Sequence, residues 1–239
     1  MNRRLPRSFL DPWDDWLQSA IATSREQLGD DWLNLYLTSP VWSFVLSGNL
    51  CGEAPRCGLL MPSVDRVGRY YPLIIATSLP LDVNPFYIAV HGAYWFDSAS
   101  DVLLSALEEV GFDIEVFDSK VVALDSIHRI AGSAAVSAQG GYGSSWRIPL
   151  DRDAEVGTVL PGLAHRLALQ RLGAYSLWWT NGSQHVEQSL LLTAGMPPAH
   201  DYSALLTGNW QESAWEECLL PATDVDVEHS CREEGKVTP

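Results

Sequence analysis

The order of segments predicts an α+β fold, with a mainly antiparallel sheet and helices packed against it. Two observations carry that prediction. Residues 39–76 read as three short strands joined by two turns. The later strand-like runs form a hairpin and do not alternate with helices. Strand, strand, strand, helix, helix, strand, helix, hairpin, helix is not the strict βα alternation of a doubly wound sheet.

In chain order, Asp11-Pro12 is expected to open the first helix, with Asp as N-cap and Pro at the first helical position. Asp14 and Asp15 then fall in its first turn, where the helix dipole favours acids. Trp13, Trp16, Leu17, Ala20, Ile21 and Leu28 keep the helical period, and Gly29 suits the stop. Trp32, Leu35 and Tyr36 predict a further turn of helix before Pro40. Strands follow at Val41–Ser47, Gly58–Val64 and Tyr70–Ser78. Phe86–Trp95 is apolar on nearly every face and reads as a buried helix. Ser98-x-x-Asp101 is placed to cap the next helix, which Gly111 ends. Residues 112–130 are ambiguous: Asp-Ile-Glu-Val-Phe alternates like a strand, whereas Ser119–Ile127 reads as a helical turn. Ala131–Ser145 is a long Gly-rich loop. Trp146–Leu150 is a candidate short strand, and Leu163–Leu172 a helix ending near Gly173. Tyr175–Thr180 is a strand, Asn181-Gly182 a hairpin signal, and Glu187–Thr193 the return strand. Asp201 can cap a final short helix through Leu206. Residues 1–220 are read as one domain, and 221–239 as an acidic tail expected to be disordered.

Composition narrows the function classes. The 239 residues carry 15 basic and 30 acidic side chains, a net charge of −15. Such a surface repels phosphate backbones, which argues against nucleic-acid binding, and it favours basic partner surfaces. From Glu212 onward eight acids face two bases, while Arg3, Arg4 and Arg7 make the start basic. Both termini are read as solvated. Cysteines 51, 57, 218 and 231 lack the spacing of a zinc knuckle and are read as free thiols in a reducing cytoplasm. No stretch approaches the 18 or so apolar residues of a membrane span.

Catalysis needs a nucleophile and a base that can meet. The six histidines are scattered, and no nucleophile elbow, zinc-binding His-Glu-x-x-His or dinucleotide turn is present. His91, on the apolar Phe86–Trp95 segment, is read as a core histidine. The chain is therefore read as non-enzymatic, without cofactor or metal. The turn Asp65-Arg66-Val67-Gly68-Arg69 stands apart. It crowds charge between two apolar strands, and two arginines in one turn are unexpected in an acidic protein. It admits a structural reading, with Gly68 at positive φ and Asp65 capping, and a recognition reading. Trp178 and Trp179 are adjacent on a strand, so one faces each side of the sheet. At least one should be core, and the other is a candidate interface anchor. Trp210 and Trp215 are the candidates for exposed tryptophans. The alternative function is a small-ligand sensor or enzyme with a pocket under loop 139–145, beside Tyr142 and Trp146.

The central stretch also carries a resemblance. Pro40-Val-Trp-Ser-Phe-Val-Leu-Ser47 and Gly58-Leu-Leu-Met-Pro-Ser-Val-Asp-Arg-Val-Gly-Arg-Tyr-Tyr-Pro-Leu73 resemble the hallmark of the TagF (ImpM) family, accessory proteins of bacterial type VI secretion. Support comes from Ser176-Leu-Trp-Trp-Thr-Asn-Gly-Ser183, Gly195-Met-Pro-Pro198 and Tyr202-Ser-Ala-Leu-Leu-Thr-Gly-Asn-Trp210, so the matches run from Arg3 to Trp210. The resemblance implies a longin- or profilin-like three-layer arrangement. It implies a cytoplasmic post-translational repressor that binds the forkhead-associated scaffold protein of the secretion system. It also implies a functional link to a kinase and phosphatase pair. Asp65, Arg66 and Arg69 are the residues expected at the partner contact, with Trp178 or Trp179 in support. Family members usually carry Gly-Lys-x-Pro-x-x-Gly-Asp-Phe just before the Arg-Arg-Leu-Pro at 3–6. The chain starts inside that region, so either an edge strand is expected to be absent or the start to be placed too late.

Overall fold

Five antiparallel strands in the order β3-β2-β1-β4-β5 form the central layer of the computed structural model. It describes residues 3–64, 68–108, 112–131, 146–150, 152, 155–218 and 220. The elements are α1 (Arg7–Leu28), α2 (Trp32–Leu37), β1 (Trp42–Leu46), β2 (Arg56–Met61), β3 (Leu73–Ser78), α3 (Pro85–His91), α4 (Ala93–Glu108), α5 (Ile114–Val122), α6 (His128–Ala131), α7 (Leu160–Leu172), β4 (Tyr175–Thr180), β5 (Ser189–Ala194) and α8 (Tyr202–Thr207). The α+β architecture with an antiparallel sheet and flanking helices is the one expected.

The alternation of the strands sorts the core into two halves. Trp42, Phe44 and Leu46 of β1 face α1, α2 and α8. Val45 points the other way with Cys57, Leu59, Met61 and Ile75, towards α3, α4 and α5. All five β1 residues are buried, because helices cover both faces of the central strand. The first half is aromatic. The Trp13 ring centre lies 4.9 Å from Phe44 and 6.1 Å from Trp178, and Phe44 lies 5.0 Å from Trp178. Each such ring contributes roughly 1.5–3 kcal/mol on burial. Gly58 faces Phe44 across the strand pair, and a Cβ there would press on the Ile75 carbonyl and lie 2.7 Å from Phe44 Cζ.

Several local expectations are corrected. Helix α1 starts at Arg7, and Pro12 lies inside it. The Pro6 carbonyl accepts from the Phe9 and Leu10 amides at 3.0 and 3.1 Å. Phe9 extends the buried stripe of Trp13, Leu17, Ala20 and Ile21 by one turn, and this burial outweighs the bond Pro12 cannot donate. Phe86–Trp95 is not one helix. Asn84 caps α3 by accepting from the Phe86 and Tyr87 amides, and the chain breaks at Gly92 before α4 begins. Ser98 is no cap, because it sits inside α4 and donates to the Tyr94 carbonyl at 2.8 Å. His91 is exposed and rests on Tyr87, with ring centres 4.1 Å apart; it is not a core histidine.

The ambiguous stretch resolves as α5. Asp113 caps it, accepting from the Glu115 amide at 2.8 Å, and Phe117 is buried. Trp146–Leu150 forms no strand. Asp201 precedes α8 without capping it, and its carboxylate instead accepts from the Ala214 amide at 2.9 Å. Trp210 and Trp215 are half-buried against the α1 side of the core, and Trp210 meets Trp42 edge-on. The basic start is not merely solvated: Arg3 pairs with Glu115, and Arg4 with Asp118 at 2.7 Å. Cys51 and Cys57 are buried free thiols, and Cys218 is exposed and free. Loop 139–145 and the tail 221–239 lie outside the described residues.

Candidate functional site: the turn between the second and third strands

The segment joining β2 to β3 extends the hairpin past the ladder. Val64 bridges Tyr70, and the Tyr71 amide donates to the Ser63 carbonyl at 3.1 Å. Gly68 adopts φ +80° with open space around it, the backbone freedom expected of that glycine. Asp65 and Arg66 lie outside the described residues, and Arg69 is exposed.

The base of this turn is pinned by residues far away in sequence. Tyr36 of α2 donates its hydroxyl to the Ser63 carbonyl at 3.0 Å and accepts from the Ser63 amide at 2.9 Å. Both backbone groups of one residue are thereby satisfied by one side chain. Tyr36 is buried, and burial pushes its hydroxyl up to about 12. Its ring stacks on Trp32 at 4.8 Å, and both rings meet Tyr70 edge-on. The Arg25 guanidinium caps this group, 4.2 Å from the Trp32 ring centre and 5.6 Å from that of Tyr70. The Tyr71 hydroxyl donates to Asp14 on α1 at 2.8 Å. The residues that flank the turn, Ser63, Tyr70 and Tyr71, are thus tied to α1 and α2 through an aromatic cluster and side-chain hydrogen bonds.

The two expected tryptophans do not join the turn. Trp178 is fully buried among Trp13, Trp16 and Phe44, and donates its indole N–H to Ser176 Oγ at 2.9 Å. Trp179 is half-buried on the opposite face, edge-on to Phe96 at 4.6 Å. One does face each side of the sheet, as adjacency requires, but helices cover both. Neither presents an exposed anchor, so any support they give the turn runs through the sheet. Tyr36, Ser63 and Arg25 are the members that sequence reasoning missed. Only the aromatic density of residues 32–36 hinted at them.

The remaining chemistry-bearing groups are dispersed. His165 Nδ1 lies 2.6 Å from the Tyr175 hydroxyl, with burial pulling the imidazole down and pushing the phenol up. His200 contacts Asp201 at 3.3 Å. Trp146 lies under the Arg166 guanidinium, 5.2 Å away. Among the described residues no three His, Cys, Asp or Glu side chains are grouped so that they could hold a metal ion, and no helix is long and apolar enough to cross a membrane.

No curated protein sequence matches the chain. The crystal structure of PA0076 from Pseudomonas aeruginosa PAO1 is similar over 92% of this chain and 92% of that one, with 31% identity and a TM-score of 0.76. Residues 1–124 match the TagF N-terminal domain, described as type VI secretion system-associated. That segment contains α1, α2, the β1–β3 meander and the turn, and the chain belongs to the TagF family of type VI secretion-associated proteins.

Proposed function

We propose that this chain is a non-enzymatic, cytoplasmic accessory regulator of type VI secretion, a post-translational repressor. It acts by stoichiometric binding of the forkhead-associated scaffold protein, alongside a kinase and phosphatase pair. Asp65, Arg66 and Arg69 make the contact. Trp178 and Trp179 support the strands behind it from inside the core.

The observation that carries this reading is the rigid base of the turn, in which Tyr36 holds both backbone groups of Ser63. Two arginines in one short turn are unexpected in a protein of charge −15. Arginine suits planar, multi-donor recognition of acidic groups. The test is co-purification with the scaffold from the same genome, with and without scaffold phosphorylation. Wild type is expected to hold the scaffold. The R66E/R69E double variant is expected to lose it while keeping the wild-type circular dichroism and melting temperature. Equal capture by wild type and a folded double variant refutes the assignment of the contact. No capture by folded wild type in either phosphorylation state refutes the repressor mechanism.

A further inference from the structure

Helix α7 docks shallowly on the sheet. Of its 13 residues only Pro161 and Ala168 are buried, and Leu160, Leu167 and Leu169 are exposed. It rests on α3, on the turn Val156–Val159 and on β4. Ala168 and Leu172 gather there with Phe86 and Ala89 of α3 and with Tyr175 and Leu177 of β4. One polar pair stands in this apolar contact: His165 Nδ1 lies 2.6 Å from the Tyr175 hydroxyl. Tyr175 is fully buried, with its ring centre 5.6 Å from that of Phe86. Among the described residues no other group bonds to its hydroxyl.

The proton inventory of this pair is fixed by its surroundings. Burial keeps the phenol protonated far above neutral pH, so its hydrogen needs an acceptor. Nδ1 of the neutral imidazole is the acceptor in reach, which puts the ring hydrogen on Nε2. A proton added at Nδ1 takes that acceptor away. Nδ1–H can then donate to the phenol oxygen, but the phenol hydrogen faces only apolar neighbours. The new charge also finds no partner. On α3 the titratable side chains are Tyr87 and His91, which stack on each other with ring centres 4.1 Å apart. The turn Val156–Val159 has none, and Glu155 before it is exposed. On β4 there is Tyr175 alone. Arg166 and Arg171 of α7, and Arg147 of the segment that meets α7 through Trp146, are cations. Among the described residues no carboxylate pairs with His165.

We propose that His165 and Tyr175 form an acid-released latch, which holds α7 on β4 at neutral pH and frees the helix when the imidazole takes up a proton. Gly173, at φ +70° with open space around it, is the joint between α7 and β4. Release uncovers the apolar contact beneath, which includes Phe86, Ala89 and Leu177. The latch does not rest on the repressor reading. Its pH window follows from the two states of the histidine. The released imidazole titrates near the ordinary value of roughly 6.5, and burial holds the latched one below it. The latch is therefore complete above the ordinary value. Below it, release becomes easier by up to about tenfold per pH unit, until the latched value is reached.

The test uses the full ¹⁵N-labelled chain. Imidazole ¹H–¹⁵N spectra between about pH 5 and 8 follow His165, whose signals the His165→Gln variant identifies. They are expected to show the Nε2–H form at neutral pH and a midpoint below the ordinary histidine value. Amide exchange, corrected for its intrinsic pH dependence, reads the helix itself. From about pH 6.5 to 5.5 the α7 amides are expected to lose protection by several-fold, up to about tenfold, relative to Phe44 and Val45 of β1. His165→Gln offers an acceptor that does not titrate, so its α7 protection should be the same at both pH values. An ordinary or raised His165 midpoint, an α7 loss no larger than that of β1, or a loss that persists in folded His165→Gln overturns the proposal. The wild-type measurements decide the question even if the variant does not fold.

Discussion

Tyr36→Phe isolates what holds the turn. The change removes one buried oxygen and leaves the ring, so the stack on Trp32 at 4.8 Å and the edge contact with Tyr70 at 6.1 Å remain. It leaves the Ser63 amide and carbonyl without their side-chain partner. A buried backbone group left unpaired costs about 1–3 kcal/mol. Ser63 is half-buried and its carbonyl keeps the Tyr71 amide, so the amide dominates. The expected loss is therefore about 1–3 kcal/mol in total, not twice that. Urea unfolding followed by tryptophan fluorescence should show a lower midpoint with an unchanged slope. Amide exchange gives the sharper reading. Ser63 should lose protection by roughly tenfold per 1.4 kcal/mol, and the core strand β1 should lose only what the global destabilisation requires. On the proposed function, binding of the scaffold should weaken in step. An unchanged urea midpoint together with unchanged exchange at Ser63 would refute the view that Tyr36 fixes this turn.

Gly58→Ala should destabilise by about 1–3 kcal/mol through overpacking, since the added methyl presses on the Ile75 carbonyl and the Phe44 ring; a thermal melt equal to wild type would show that the ring moves aside freely. The Arg3–Glu115 and Arg4–Asp118 pairs should respond to acid. The Arg3 hydrogen bond holds Glu115 below its usual range, and the Arg4 hydrogen bond does the same for Asp118. With folded values below unfolded ones, their contribution is present above about pH 4 and is lost as pH falls through the folded values. NMR titration of the two carboxyls in an Arg3→Gln, Arg4→Gln variant should show both moving upward, and unmoved values would mean the pairs do not persist in solution.

What the sequence made legible was local. The Pro40 and Gly48 stops placed β1, and adjacency alone put Trp178 and Trp179 on opposite faces. Where a local rule met a tertiary one, the tertiary one won. Asp11-Pro12 is a sound helix start by capping, but Phe9 continues the buried stripe and carries α1 back to Arg7. Ser98-x-x-Asp101 reads as a capping box only until Gly92 is seen to end α3. The candidate site divides the same way. Its charged tip is written in five consecutive residues. Its rigidity comes from a tyrosine 27 positions upstream, and a carboxylate on α1 that is 57 positions from Tyr71. Arg56 is the extreme case. It sits at a strand start where an arginine is unremarkable, and only the packing of Phe9 from α1 over its guanidinium and the bond to Ser78 show that it is buried. Chemistry-bearing residues can thus be found by reading along the chain, but whether each is anchored, buried or left without a partner depends on contacts that no short window contains.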